Sequence, residues 1–386
     1  MATTLTLSDA QGPRWNALVV GAGPAGTVAA RELARHGQRV LLVDKRSFPR
    51  DKVCGSCLSR WALDLLASIG LGELPSQLGG RRYDEFRLCS RGAAATLPLP
   101  GGIAVTRSAL DNALAQAAVD EGACFLPSTQ AYLDPVSGDG RRVLLRQADA
   151  ELAVTAQVVV AADGVGGKLL ASEPGIKYQT WRNSRIGAGT VLADDSQAYQ
   201  PGAIYMAVAR HGYVGFVRAE DRYLTIAAAL DTGLVRRHGS VAAAIGLIMQ
   251  ENRMPRLSGF QGTSWRGTGP LTRQVSRAAG ERLFIIGDAA GYVEPFTGEG
   301  LAWAMSSAVM VTPHALAAIE DWQPEIAANW VAAYRKGLRG RQQSCFRLAR
   351  LLRHPWLVRN TVSALSRFPS LAEPLVRRMN PQRAGL

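Results

Sequence analysis

The sequence predicts an α/β chain, α+β overall. A Rossmann-like nucleotide-binding domain carries an inserted antiparallel-sheet domain and is followed by a C-terminal helical segment. Three observations predict this. A strand, a glycine turn, a helix and a second strand open the chain within residues 16–43. Two further buried strands, 158–161 and 283–286, each run into an acid-glycine or glycine-acid pair. Between them, residues 186–229 read as strands joined by short polar turns, the pattern of an antiparallel layer.

In chain order, "NALVV" at 16–20 is an apolar strand and "GAGPAG" at 21–26 a glycine turn. Residues 27–36 carry small side chains with Arg and Glu and read as a helix. Gly37 ends it, and 39–43 is the second strand. Residues 61–69 are helical, and 81–97 form a hairpin. Residues 107–121 are a helix with Leu110, Leu114, Ala117 and Ala118 on one face. Short strands follow at Cys124–Leu126 and near Ala131, Val143 and Leu152, then "VVVA" at 158–161, which ends at Asp163 and Gly164. "IGAGTVLA", "AIYMAVA", "GYVGFV" and "YLTIAAA" supply the antiparallel strands, and 241–249, 300–319 and 324 onward are helical. The nucleotide-binding pieces are scattered, so that domain is expected to be discontinuous: 1–75, 96–175 and 268–315. The substrate sheet takes 76–95 and 176–267, and a basic helical region takes 316–386.

With 47% apolar and 19% charged residues and 40 glycines, the 386-residue chain has the composition of a globular enzyme, which excludes disordered and fibrous classes. No apolar run approaches the ~20 residues that span a bilayer. The N-terminus lacks the basic start and apolar block of a secretory signal. Five scattered cysteines point to a reduced, cytoplasmic protein. The net charge of +13 is uneven: residues 331–386 hold twelve Arg or Lys against one acid, Glu373. The main fold is therefore close to neutral, and the charge brings no recognition motif that would favour nucleic acid.

"GAGPAG" fits the dinucleotide pattern. Gly21 makes the strand-to-helix turn, Gly23 lets a diphosphate approach the backbone, and Gly26 lets helix and strand pack closely, with Pro24 and Ala25 opening the helix. The diphosphate then lies on the helix N-terminus. Asp44 ends the second strand where an acid binds a ribose diol, with Lys45 beside it. NAD and FAD both remain until the late stretch "LFIIGDAAGYVEPFTGEG" is read. An extended FAD needs a second strand end. Gly287 and Asp288 offer one for the ribityl region. Pro295, Gly298, Glu299 and Gly300 offer a loop beside the flavin, followed by a helix whose dipole favours an anionic reduced ring.

These stretches, in this order, resemble the p-hydroxybenzoate hydroxylase-type FAD superfamily. "GAGPAG" with Asp44, "RSALD" at 107–111, "AADG" at 161–164 and "GDAAGYVEPFTGEG" at 287–300 carry the resemblance across roughly residues 16–310. It implies that Arg107 contacts the FAD diphosphate or ribityl and that Asp163 supports the cofactor. Lys168 stands where the family often has arginine. "FPRDKVCGSCLSRW" from 48 and "PFTGEG" from 295 resemble the geranylgeranyl reductase-like and flavin monooxygenase branch.

Two chemistries follow from that resemblance. The preferred one is an NAD(P)H-dependent monooxygenase hydroxylating a hydrophobic aromatic or lipid-like molecule through a C4a-hydroperoxyflavin. The alternative is reduction of isoprenoid double bonds, which needs a proton donor near the flavin; Cys54 is the candidate catalytic residue. Halogenation is set lower, because the tryptophan-rich signature is missing and residues 81–87 hold no lysine. A non-enzymatic electron-transfer flavoprotein is likewise set lower. "CGSC" at 54–57 also admits a dithiol, but without a second such pair it does not suggest zinc, and no metal is expected.

The substrate pocket is expected between the flavin and the antiparallel sheet, walled by Tyr205, Tyr213 and Phe216 together with Met206 and Trp265. His211 reads as a turn residue. The tail alternates leucine with arginine at helical spacing and is broken by Pro355, Pro369 and Pro374. It is expected either to cap the pocket or to meet an anionic membrane peripherally.

Overall fold

A computed structural model of the chain describes residues 3–12, 14–136, 138–194, 196, 198–294 and 296–379. Among these residues two eight-stranded sheets organise the molecule. The first is parallel through its centre, with Trp15–Val20 between Val40–Val43 and Ala150–Ala161, and with Leu283–Ile285 and Cys124–Leu126 outside them. Both of its faces are covered, so Val40–Val43 and Leu283–Ile285 are buried at every position. Ala150–Ala161 is one twelve-residue strand where two were expected. Its first half pairs antiparallel with Arg141–Gln147 and its second half parallel with Trp15–Val20.

The helix Pro24–Arg35 packs between Arg107–Asp120 and the long helix Gly300–Glu320. Its alanines, glycine and threonine allow that close packing, and eleven of its twelve residues are buried. Gly300–Glu320 corrects the sequence expectation about apolar runs. It is 21 residues long and apolar enough, by length and composition, to cross a bilayer. Its apolarity has a different physical cause here, since 67% of that window is buried inside the fold.

The second sheet runs Arg266–Pro270, Ile186–Ala193, Tyr223–Leu230, Gly212–Arg218, Gly202–Ala209, Arg81–Ser90, Ala93–Ala104 and Cys57–Ser59. It is antiparallel except where Gly202–Ala209 meets Arg81–Ser90. The turn between Arg81–Ser90 and Ala93–Ala104 is Arg91-Gly92, both left-handed at φ 49° and 79°, which matches the strand twist of a two-residue hairpin. This hairpin extends past the expected boundary at residue 95, and its outer strand pairs with Cys57–Ser59. Residues 48–56 therefore cross from the nucleotide-binding sheet to the substrate sheet.

From residue 321 to 379 the described chain is mostly helical: Pro324–Tyr334, a π turn at Arg335–Arg339, then Gly340–Leu351, Pro355–Arg367 and Glu373–Met379. Pro324 and Pro355 stand in the first turns of their helices, where the missing N–H costs nothing. Pro355–Arg367 lies across the strands Arg81–Ser90 and Ala93–Ala104.

Candidate active site

The cradle begins at Gly21, whose φ is 106°; a Cβ there would meet the Ala162 carbonyl oxygen at 2.4 Å. At Gly26 a Cβ would lie 1.8 Å from the Gly21 oxygen, so the turn and the helix close on each other only without side chains. Gly23 differs. It is extended, caps the helix, and among the described residues has only two groups within 4 Å of its missing Cβ: Arg50 Nη2 at 3.6 Å and Arg107 Nη2 at 3.8 Å. Two guanidinium groups and a helix N-terminus thus converge on one open space, which suits a diphosphate.

Carboxylates hold these cations in place. Arg107, buried in the first turn of its helix, pairs bidentately with Asp111 at 2.7 and 2.7 Å. Burial opposes the Arg107 charge, but the Asp111 carboxylate and the nearby Cys54 sulfur raise its ionisation above the usual value. Arg50 Nη2 lies 3.3 Å from Asp44 and 3.4 Å from Asp111, bridging the two acids. Asp44 accepts from the Ala22 N–H at 2.8 Å and the Arg46 N–H at 2.9 Å, which sets it at the lip of the turn. Lys45 lines the cavity next to it, and so do Pro24 and Ala25.

The far end is built from the other two glycine segments. Asp163 Oδ2 accepts from the Leu169 N–H at 3.0 Å, while its buried Oδ1 has no hydrogen-bond partner among the described residues. Burial pushes the Asp163 carboxyl up, opposed by that N–H and by Arg273. Gly287, at φ 57°, brings its backbone so near the first motif that a Cβ would sit 2.8 Å from Ala25 Cβ. Its N–H donates to Ser307 Oγ at 2.8 Å. Asp288 follows, 3.7 Å from Lys52 Nζ. Burial lowers the Lys52 ammonium, and Asp288 counters it. Gly298 and Gly300 line the cavity, with Gly298 facing Cys57. Pro295 lies outside the described residues.

Glu299 is buried between these glycines. Burial pushes its carboxyl up to about 7, against the Thr297 hydroxyl at 2.8 Å and the charge of Arg341. A carboxyl whose folded pKa exceeds its unfolded value stabilises the fold fully below about 4.5, and that stability is lost as pH rises through about 7. Across this window Glu299→Gln is expected to remove a fall of about 3 kcal/mol in cofactor-free stability, read by urea denaturation at a series of pH values. Parallel pH profiles for the two proteins would refute it.

One continuous cavity of about 1510 Å³ joins these parts. It runs from Gly23 and Asp44 past Cys54, Asp288 and Tyr292 to the substrate sheet and the C-terminal helices. Tyr213 and Met206 line it and pack in the apolar cluster that includes Leu352, Val358 and Val362. Tyr205 and Phe216 are register partners, so alternation places both on the sheet's other face. There Phe216 stacks on Tyr199 at 4.6 Å; its chain touches the cavity wall, but its ring belongs to that second core. Tyr205 does not line the cavity and accepts from Arg87. Trp265 packs on Phe260 in the same outer core. His211 ends its strand turn 3.2 Å from Asp231, away from the cavity.

Cys54 and Cys57 are both free thiols at the wall. Cys54 is half-buried and accepts from the Ser56 N–H at 3.3 Å. Burial pushes the Cys57 thiol well up, so it stays protonated. Between them Ser56 is buried in a left-handed conformation, φ 57°, that serine rarely adopts. Its carbonyl accepts from Val105 N–H at 3.0 Å and its hydroxyl meets that of Thr225. Such a conformation persists where surrounding contacts over-determine it. Arg50, Lys52, Tyr292 and the cap leucines were not singled out as site residues in the sequence. The arginine, the lysine and the tyrosine lie inside stretches that carry the family resemblance, but nothing in their spacing marks them individually, whereas the leucine spacing of the tail does carry a signal.

Open space under two arginines, an unpartnered buried Asp163 oxygen and a second glycine loop fit an extended FAD. The sequence profile of the FAD binding domain family matches residues 14–325. The chain is 28% identical over 333 residues to menaquinone reductase of Mycolicibacterium smegmatis, across 76% of this chain and 74% of that protein. It is 27% identical over 319 residues to digeranylgeranylglycerophospholipid reductase 2 of Methanosphaera stadtmanae, across 79% and 78%. In fold it is similar to the flavin-dependent brominase Bmp2, with TM-score 0.79 and 18% identity over 95% of this chain and 93% of that one. It is also similar to halogenase PltM, solved in complex with phloroglucinol and FAD, with TM-score 0.74 and 15% identity over 95% and 85%. At such identities the solved structures share a fold with this chain and no more.

Proposed function

Because the chain belongs to the FAD binding domain family and is an FAD-dependent oxidoreductase, we propose that it reduces carbon–carbon double bonds in the isoprenoid chain of a lipid-like substrate. The cavity carries this reading. At about 1510 Å³ it exceeds the range of a single small-molecule pocket, roughly 300–1,000 Å³. It therefore has room for an elongated molecule beside the cofactor. Its far end is walled chiefly by aliphatic side chains, Leu348, Leu352, Val358, Val362 and Leu365, with Thr361 the one polar lining residue from these helices among the described residues. The two curated relatives, a menaquinone reductase and a digeranylgeranylglycerophospholipid reductase, support the same substrate class. Hydroxylation of a hydrophobic molecule, preferred from the sequence alone, is the second reading, because the same dry pocket would serve it.

Saturating a double bond consumes a hydride and a proton. Reduced FAD supplies the hydride equivalent, and NAD(P)H is the reductant in this reading. The chain's residues do the rest. Arg50 and Arg107 would hold the diphosphate, Asp44 the ribose, and Asp163 and Asp288 the ribityl end. Cys54 Sγ stands at the cavity wall as the proton donor in this reading, and the Ser56 N–H that donates to it, with Arg107 nearby, steadies the sulfur once the proton has left. The aliphatic wall excludes water from the reacting carbons.

The test is anaerobic. FAD-loaded protein is reduced under argon and mixed with a geranylgeranyl-chain lipid. The flavin is expected to reoxidise and the product to be heavier by two hydrogens. No reoxidation without oxygen, together with a product heavier by one oxygen in air, would establish hydroxylation instead. In the same assay Cys54→Ala is expected to slow reoxidation about 100-fold with its flavin spectrum intact; an unchanged rate removes Cys54 from this role.

A further inference from the structure

The C-terminal helices have two apolar faces, and only one is used inside the molecule. The inner face, with Leu352, Val358 and Val362, closes the cavity. The outer face leaves Trp356 73%, Phe368 61%, Leu371 61% and Leu351 49% exposed. These four are among the nine large hydrophobic residues left exposed on the described surface. Leu351 and Leu371 belong to both sets: they line the cavity and are exposed. The cavity therefore meets the surface at these two residues, and Trp356, next to the cavity-lining Leu357, and Phe368 belong to the same helical cap.

The surroundings of this face are cationic. Arg347, Arg350, Arg359, Arg367 and Arg377 are exposed on the same helices. Glu373 is the one acid in residues 331–386, and it pairs with Arg377 at 3.3 Å. The elbow between Gly340–Leu351 and Pro355–Arg367 is tied down by Arg353, which pairs with Asp231 at 3.0 Å and donates to the Asn183 carbonyl at 2.6 Å. The cap is thus held on the substrate sheet with its apolar side chains outward.

We propose that this cap docks the protein on an anionic bilayer surface, with Trp356, Phe368 and Leu371 entering the interface and the arginines on lipid headgroups, so that the cavity mouth opens onto the membrane. Exposed aromatic and leucine side chains on a short helix ringed by arginine fit the headgroup boundary, where ring and stem are buried and the cation stays wet. A protein partner would require acidic complementarity but would leave the junction of mouth and apolar patch without a use. The bilayer accounts for both, since an isoprenoid lipid leaves it without crossing water. The substrate half of this inference rests on the reductase reading; the docking half does not.

The test uses the full FAD-loaded chain and vesicles of phosphatidylcholine alone or with phosphatidylglycerol. Co-sedimentation is expected with the phosphatidylglycerol vesicles only, and to weaken as salt is raised. Arg359→Glu with Arg367→Glu, and separately Trp356→Ser with Phe368→Ser, are expected to lower binding at least ~10-fold. Both variants should keep the flavin spectrum and the turnover of a short, soluble prenyl substrate. Absence of binding to phosphatidylglycerol vesicles overturns the proposal, as does binding that neither variant weakens. Light scattering showing a dimer that Trp356→Ser with Phe368→Ser dissolves, without vesicle binding, assigns the face to a second copy and also overturns it. Vesicle binding without anaerobic reduction would sink the reductase reading and leave the docking intact; reduction of soluble substrate without vesicle binding would do the reverse.

Discussion

Gly23→Ala is expected to yield a folded protein that purifies colourless, whereas Gly26→Ala is expected not to fold. Both glycines belong to one six-residue turn, but their surroundings differ. A Cβ at Gly23 meets nothing nearer than 3.6 Å, and the backbone there is extended, a conformation alanine adopts freely. It would occupy the space beneath Arg50 and Arg107 where the diphosphate is expected. A loss of ~3 kcal/mol, about 100-fold in FAD affinity, is the expected scale. A Cβ at Gly26 would stand 1.8 Å from a backbone oxygen of the same turn, and neither the helix nor the strand can retreat without opening the core. Circular dichroism and FAD titration separate the cases. Tight FAD binding by Gly23→Ala would show that the diphosphate lies elsewhere.

Arg107→Ala is expected to damage both the fold and the cofactor site. Asp111 is fully buried, and its bidentate partner would be gone. Leaving one member of a buried pair costs about 3–5 kcal/mol. Arg50, 3.4 Å from the same carboxylate, should hold the loss toward the lower end. The urea midpoint is expected to fall accordingly, and FAD affinity to drop by at least ~100-fold. A diagnostic comparison is Arg107→Ala with Asp111→Ala. Removing the stranded charge should recover part of the stability but none of the FAD affinity. If the double variant is no more stable than Arg107→Ala, the buried-charge account is wrong.

What could be read in the chain follows from local physics. The turn at Gly21–Gly26 was legible because a tight strand-to-helix turn with a diphosphate against it requires glycine at fixed spacing. Asp44 and Asp288 were legible for a similar reason, since each follows a short apolar run, and Gly298 was legible as part of a second glycine turn. The tail's leucine spacing and prolines announced short helices, and Pro355–Arg367 starts at its proline. Arg50 was not legible as a site residue. It sits in an aperiodic crossing between two sheets, and its value comes from standing between Asp44 and Asp111, 67 residues apart in the sequence by their numbering.

The sequence by itself determined the cofactor class and the elements that hold it, because those depend on contacts within a turn or at a strand end. Only the tertiary structure decided which faces meet. Tyr205 and Tyr213 both lie on largely apolar strands, and period-two alternation says that they can point apart without saying which side is the cavity. The helices packed against the sheet decided that: Val241–Glu251 covers the Tyr205 face, and Pro355–Arg367 leaves the Tyr213 face over the cavity. The same holds for Gly300–Glu320, whose composition would suit a bilayer and whose neighbours place it in the core. Burial is a relation between distant segments, and hydropathy alone does not name the partner.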